Sequence, residues 1–528
     1  MRGSGRRLRR RAAAAGVALA CLAAAAGCTD HSSAATPGQT PSAGPSLVPQ
    51  AVQPVSPDPA GAPALAAFYS QHPAWTQCDQ TFQCAKVTVP LDWSAPSGPA
   101  IQLAMERLPA TDPVHRLGSL LVNPGGPGAS GVDFVRGATE IYSNALRAQY
   151  DIVGFDPRGV GASDPVQCLP GPKLDAFLTL DSMPDTPAQI GALQTGDADF
   201  AAGCKADSGA VLLHVGTRDV VRDLDVMRAV VGDAKLNWFG FSYGTYIGSF
   251  YAGMFPQRVG RMVLDGPVDP ALDPAGLSEM QAAGFQDEFD RFADFCLATG
   301  QCPIGSSRRQ ITDAVTGMFT RLIDQPLRTA AGRSLTESDA MNGIAFAMYE
   351  PKQVWPQLMI ALAYAFQGKG DVLLTLADQI LSRTGPGQFK DNSNEANLAV
   401  NCLDHPGDDT VADAQAALPA MRAASAVFGV SFAWGNLACA DMPQLNPPPQ
   451  PAPIRAVGAA PILVVGGTHD PATPYPWAVA LSTELTSSTL LTRDGDGHTS
   501  YGQGNTCIDS AVDGYLLSGT MPKAGIRC

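Results

Sequence analysis

Residues 236–256, LNWFGFSYGTYIGSFYAGMFP, decide the fold. LNWFGF is an apolar run of strand length. The residues after Ser242 are small and apolar at helical spacing and include Gly244 and Gly248. A strand that turns sharply into a helix at a serine lifts its hydroxyl clear of a sheet, and glycines on either side give the backbone room for that turn. Ser242 in Gly-Phe-Ser-Tyr-Gly is therefore a candidate nucleophile. The five-residue pattern is common by chance in a chain with 54 glycines, so its surroundings have to carry the reading.

Those surroundings repeat one unit. LGSLLVN, YDIVGFD, LNWFGF, RMVLDGP, APILVVGG and STLLTRD are short apolar runs, most closed by Gly or Asp turns, with helix-length segments between them. Such spacing is the signature of a mainly parallel α/β sheet. Upstream, CAKVTVPLDWSAPSGPAIQLAMERLPA alternates apolar positions around a Pro/Ser/Gly turn and reads as an antiparallel edge hairpin. Between 269 and 453 the strand runs stop and amphipathic helices take over, as in GLSEMQAAGFQDEFDRFADFC. NPPPQPAP, 446–453, ends that stretch. The expected organisation is a core from 65–268 and 454–528, with 269–453 inserted as a helical cap.

A serine hydroxyl needs a base oriented by an acid. Of seven histidines, His498 in RDGDGHTSYG follows a strand near the C-terminus, in a Gly/Asp loop, and is the best base. Asp470 in GGTHDPATP lies just after a strand, 28 residues before His498, and is the expected acid. Asp265, ending RMVLDGP, is the alternative acid. Asp494 and Asp496 read as turn formers and His469 as a loop residue. An oxyanion needs preorganised donors. NPGGPGAS, 123–130, follows a strand and can turn its amides inward, so the first-choice pair is the N–H groups of Gly126 and Tyr243. In GFDPRGVGASDP, 154–165, Asp156 and Arg158 are expected to pair and hold loops near the site.

The first 27 residues combine an arginine-rich start with an apolar run too short to span a membrane, and read as an export signal. Ala25-Ala26-Gly27-Cys28 resembles a bacterial lipobox, with Cys28 as the lipidated residue; cleavage and full secretion is the alternative. Residues 28–64 are rich in Pro, Ala and Ser and read as a disordered tether. The net charge of -14 becomes -20 without the six arginines of the signal, a balance that repels nucleic acid. Ten cysteines remain after Cys21 and Cys28. Their even number in an exported chain suggests disulfides. Neighbour pairing would join Cys78 to Cys84, Cys168 to Cys204, Cys296 to Cys302, Cys402 to Cys439 and Cys507 to Cys528, a connectivity that spacing alone leaves open. Neither zinc-ligand spacing nor a calcium or phosphate loop is present, so no metal or cofactor is expected.

Taken in order, NPGGPGAS, GFDPRGVGAS, GFSYG, GGTHDPATP and GDGHTS resemble the proline iminopeptidase and tripeptidyl aminopeptidase branch of the α/β-hydrolases, especially its exported bacterial members. The resemblance implies an α/β-hydrolase fold and a serine exopeptidase that removes short peptides from a free N-terminus, with Ser242, Asp470 and His498 as triad. It also directs attention to LAVNCLDHP, where Asp404 becomes a candidate partner for the substrate ammonium, with Glu395 in reserve. Thr473 is a possible buttress of Asp470. The expected partner is a peptide or protein substrate, the membrane is met only through the lipid anchor, and the chain is expected to act as a monomer. The competing readings are a carboxylesterase or lipase using the same triad and a non-catalytic binding protein on the same scaffold. Carboxylates in a narrow pocket would favour peptides, and a wide apolar groove would favour lipids.

Overall fold

Every residue of GSLLVN, 118–123, is buried, and its neighbouring side chains serve opposite faces. Leu120 and Val122 pack with Val135, Leu146, Ile508 and Val512. Leu121 packs on the other side with Leu224, Ile247 and Tyr251. A strand covered by helices on both faces must be apolar throughout, which is why these runs read as continuous rather than alternating.

The structure, a computed structural model, describes residues 52–55 and 59–528. Its strands are β1 (Thr76–Gln77), β2 (Gln83–Pro90), β3 (Ala100–Leu108), β4 (Gly118–Asn123), β5 (Tyr150–Phe155), β6 (Leu236–Phe241), β7 (Val259–Asp265), β8 (Leu327–Arg328), β9 (Ser334–Leu335), β10 (Arg383–Gly385), β11 (Gln388–Phe389), β12 (Ile462–His469) and β13 (Ser488–Asp496). Nine form one sheet in the order β1-β2-β3-β5-β4-β6-β7-β12-β13. The pairs from β5 through β13 are parallel; β1, β2 and β3 add an antiparallel edge. This is the α/β-hydrolase fold.

The stretch between β7 and β12 is mainly helical, from Pro274–Ala298 to Gly429–Trp434, around a core of Phe289, Phe292, Phe319, Leu358 and their neighbours. Two differences from the sequence expectation stand out. This stretch contains two small hairpins, β8-β9 and β10-β11, too short to show periodicity. The helix Pro187–Ser208, from the first part of the chain, also packs there: Ile190 and Leu193 lie against Trp434 and Leu437.

All ten described cysteines pair as neighbours, Cys78 with Cys84, Cys168 with Cys204, Cys296 with Cys302, Cys402 with Cys439, and Cys507 with Cys528. Five disulfides are consistent with export to an oxidising compartment. The signal segment and Cys28 lie outside the described residues. The end of the expected tether does not behave as one: Val52 is buried against the sheet domain and the Val55 amide donates to the Met254 carbonyl at 2.8 Å. No helix among the described residues is long and apolar enough to cross a membrane.

Candidate active site

Ser242 sits between β6 and the helix Tyr243–Met254 with φ 53° and ψ -124°, a conformation that costs a non-glycine residue on the order of 1–3 kcal/mol. Its neighbours allow the turn. A Cβ on Gly240 would lie 2.2 Å from the Gly244 carbonyl oxygen, and one on Gly244 would lie 2.8 Å from that of Asn123. The Ser242 amide donates to the Asp265 carbonyl at 2.9 Å, and its own carbonyl accepts from the Thr245 amide at 2.8 Å and hydroxyl at 2.5 Å. The strain is thus held from both sides.

His498 Nδ1 lies 2.8 Å from Asp470 Oδ1. That carboxylate also accepts from the amides of Thr473 at 2.8 Å, Ala472 at 3.1 Å and Thr499 at 2.9 Å. Burial would raise the Asp470 carboxyl, but His498 and these donors outweigh it and hold it below the ordinary aspartate range. An anchored carboxylate on Nδ1 leaves Nε2 as the acceptor. Nε2 is buried and has no hydrogen-bond partner. The Thr473 hydroxyl is 3.4 Å from His498 Nδ1, so it touches the imidazole as well as lying beside the acid.

The alternative acid does something else. Asp265 Oδ2 accepts from the amides of Ser500 at 3.0 Å and Tyr501 at 2.8 Å, fixing the chain just after His498, and burial pushes its carboxyl up to about 6. His469 pairs with Asp287 at 2.7 Å. Asp494 and Asp496 differ from expectation: they close β13 and form ion pairs with Arg527 and Arg291. Asp156 and Arg158 do not pair with each other. Asp156 takes the Ser130 hydroxyl and the Val132 and Ala162 amides, while the buried Arg158 makes two 2.7 Å bonds to Asp223. Spacing suggested a pair, but each found a closer partner across the fold.

The loop after β4 lies directly on the elbow. A Cβ on Gly125 would meet Ser242 Cβ at 2.8 Å and the Tyr243 nitrogen at 3.1 Å, so only glycine lets this loop approach. Asn123 Oδ1 accepts from the Gly125 amide at 2.9 Å and shapes the turn. Tyr243, as the first helical residue, carries an N–H that no intrahelical carbonyl can take. Gly126 and Tyr243 both line the cleft above Ser242.

That cleft has a volume of about 580 Å³. Its floor is Ser242 with Gly126 and Pro127; its walls include Gln281, Asn342, Asn397, Asn401 and Asn436, with Leu277, Phe432 and Trp477. No Asp or Glu lines it among the described residues. Asp404 lies behind Tyr243: its oxygens accept from the Thr217 amide at 2.8 Å and hydroxyl at 2.5 Å, with the Tyr243 hydroxyl at 3.5 Å. Burial raises it to about 6. Glu395 accepts from the amides of Cys168 at 2.6 Å and Leu169 at 3.0 Å. The two carboxylates expected to meet substrate are therefore engaged by the protein itself.

Sequence reading passed over several of the side chains that line the cleft. Asn397 and Asn401 stand four apart on the helix Ser393–Asp404, the spacing that puts two residues on one face, and this polar pair in NEANLAVNCLD was the available signal. Tyr349, at the end of the helix Glu337–Tyr349, packs its ring perpendicular to the His498 imidazole at 5.2 Å, and nothing local marks it.

Residues 425–528 match a family described as TAP-like protein. The chain is 38% identical over 461 residues to the serine protease Hip1 of Mycobacterium tuberculosis, covering 84% of this chain and 87% of that protein. It is 37% identical over 509 residues to a carboxylesterase B of the same organism, covering 93% and 96%. It is 32% identical over 470 residues to a tripeptidyl aminopeptidase of Streptomyces lividans, covering 86% of each. With this fold and these relatives, the chain is a serine hydrolase and belongs to the tripeptidyl aminopeptidase-like family of α/β-hydrolases.

Proposed function

We propose that the protein is an exported serine exopeptidase that releases short peptides from free N-termini through an acyl-enzyme. Ser242 Oγ attacks the scissile carbonyl as His498 Nε2 takes its proton. Asp470 fixes the tautomer and favours the imidazolium that forms. The N–H groups of Gly126 and Tyr243 receive the oxyanion. His498 then protonates the leaving amine, and water, deprotonated by the same Nε2, hydrolyses the ester to Ser242. Export rests on the N-terminal signal and the disulfides, and Cys28 is the proposed lipid anchor.

The observation that carries this reading is the cleft wall: amide side chains stand over the serine where an acyl chain would want apolar surface. A peptide brings N–H and C=O groups that such a wall can satisfy. Esterase activity is the second reading, favoured by the carboxylesterase relative and by Leu277, Phe432 and Trp477 in the same cleft.

The test is turnover of a tripeptide amide, with its N-terminus free or acetylated, beside a short-chain ester, by the purified protein and its Ser242→Ala variant. Amide cleavage confined to the free amine and lost in the variant is expected. Ester turnover without amide cleavage would replace the peptidase by the esterase.

A further inference from the structure

Two hydrogen bonds give the cleft wall a fixed polarity. Asn397 Nδ2 donates to the Pro127 carbonyl at 3.0 Å, and Asn401 Nδ2 donates to Asn397 Oδ1 at 3.0 Å. A carbonyl can only accept, so Asn397 must present its NH₂ to Pro127 and its oxygen to Asn401. Asn401 must in turn point its NH₂ at Asn397, using one of its two N–H groups there. Its Oδ1 is left as an obligatory acceptor on a residue that lines the cleft. Gln281 is constrained in the same way: its Nε2 donates to the Ala472 carbonyl at 2.7 Å, leaving Oε1 to accept.

The helix end that carries Asn401 favours a cationic donor over a neutral one. Asn401 is in the last turn of a 12-residue helix, where the unpaired carbonyls and the helix dipole carry partial negative charge. His405, which follows that helix and lines the same cleft, is pushed by burial down to about 4 and so brings no competing positive charge at neutral pH.

We propose that Asn401 Oδ1, together with Gln281 Oε1, receives the protonated N-terminal amine of the substrate, so that a neutral amide cradle takes the place of the carboxylate expected from sequence. This rests on the exopeptidase reading and names how that site selects its substrate. Asp404, three residues further along the helix, turns to Thr217 and does not make the contact.

The experiment compares kcat/KM for a tripeptide anilide bearing a free N-terminal amine with that for its desamino analogue, in the wild type, Asn401→Leu and Asn401→Asp. The wild type should prefer the amine by about tenfold or more, the scale of a hydrogen bond to a charged group. Asn401→Leu should bring that ratio close to one, mainly through KM. Asn401→Asp should raise it and make it fall with added salt. Because both substrates use the same oxyanion loop, disturbance of Pro127 cancels in the ratio. If Asn401→Leu does not fold, the opposite shift required of Asn401→Asp still decides. A wild-type preference that both variants leave unchanged would overturn the assignment while the exopeptidase reading stands. A wild-type ratio near one would overturn both.

Discussion

The ring of Tyr349 stands at 90° to the imidazole of His498, with centroids 5.2 Å apart, and its carbonyl accepts the His498 backbone N–H at 3.1 Å. One residue from the helical insertion thus holds both the ring and the main chain of His498. Tyr349→Ala should lower kcat by up to about tenfold, the scale of an aromatic pair. Tyr349→Phe should stay within about twofold, since the ring makes the contact. Steady-state kinetics on a tripeptide anilide measures both.

The two buried acids should separate by substitution. Asp470→Asn would offer His498 Nδ1 an amide in place of an anion and should cost roughly 10⁴-fold in kcat, the scale found for a triad acid. Asp265→Asn retains an oxygen that can accept the Ser500 and Tyr501 amides, so its loss should be below about tenfold. Equal losses would mean that Asp265 shares the charge role.

Asn397 props the loop after β4, the proposed oxyanion loop, through Pro127. Asn397→Ala should reduce kcat by roughly tenfold on amides and esters alike, because both pass through the same oxyanion. A change confined to KM would place Asn397 in substrate binding instead.

Glu288 is fully buried in the helix Pro274–Ala298, neither carboxyl oxygen has a partner, and burial lifts it to about 9. The folded protein keeps a proton there that the unfolded chain releases above about 4.5, so stability falls as pH climbs from that value through about 9. Glu288→Gln removes this dependence. Its Tm should equal that of the wild type near pH 4 and exceed it by about 2 °C or more at pH 8, by calorimetry.

Sequence was sufficient wherever the physics is local. A strand buried on both faces has to be apolar throughout, and a strained serine turn has to be flanked by glycine, so the six core strands and the Ser242 elbow were legible. The placements of His498 and Asp470 after strands were legible too, because in a parallel sheet the strand ends at one edge gather there. Asp156 with Arg158 shows the limit. That pairing was inferred from sequence spacing, while the two side chains took Ser130 and Asp223, each more than 20 residues away.

The chain's own order of residues therefore determined the sheet, the elbow and the identity of the groups available for acyl transfer. Tertiary structure decided between Asp470 and Asp265 as the acid against His498, packed Tyr349 on that imidazole, and lined the cleft at Ser242 with amides rather than carboxylates. The physical reason is that a carboxylate's fate depends on which donors surround it after folding: Asp470, Asp265, Asp404 and Glu395 all accept backbone amides, and only Asp470 also meets the imidazole.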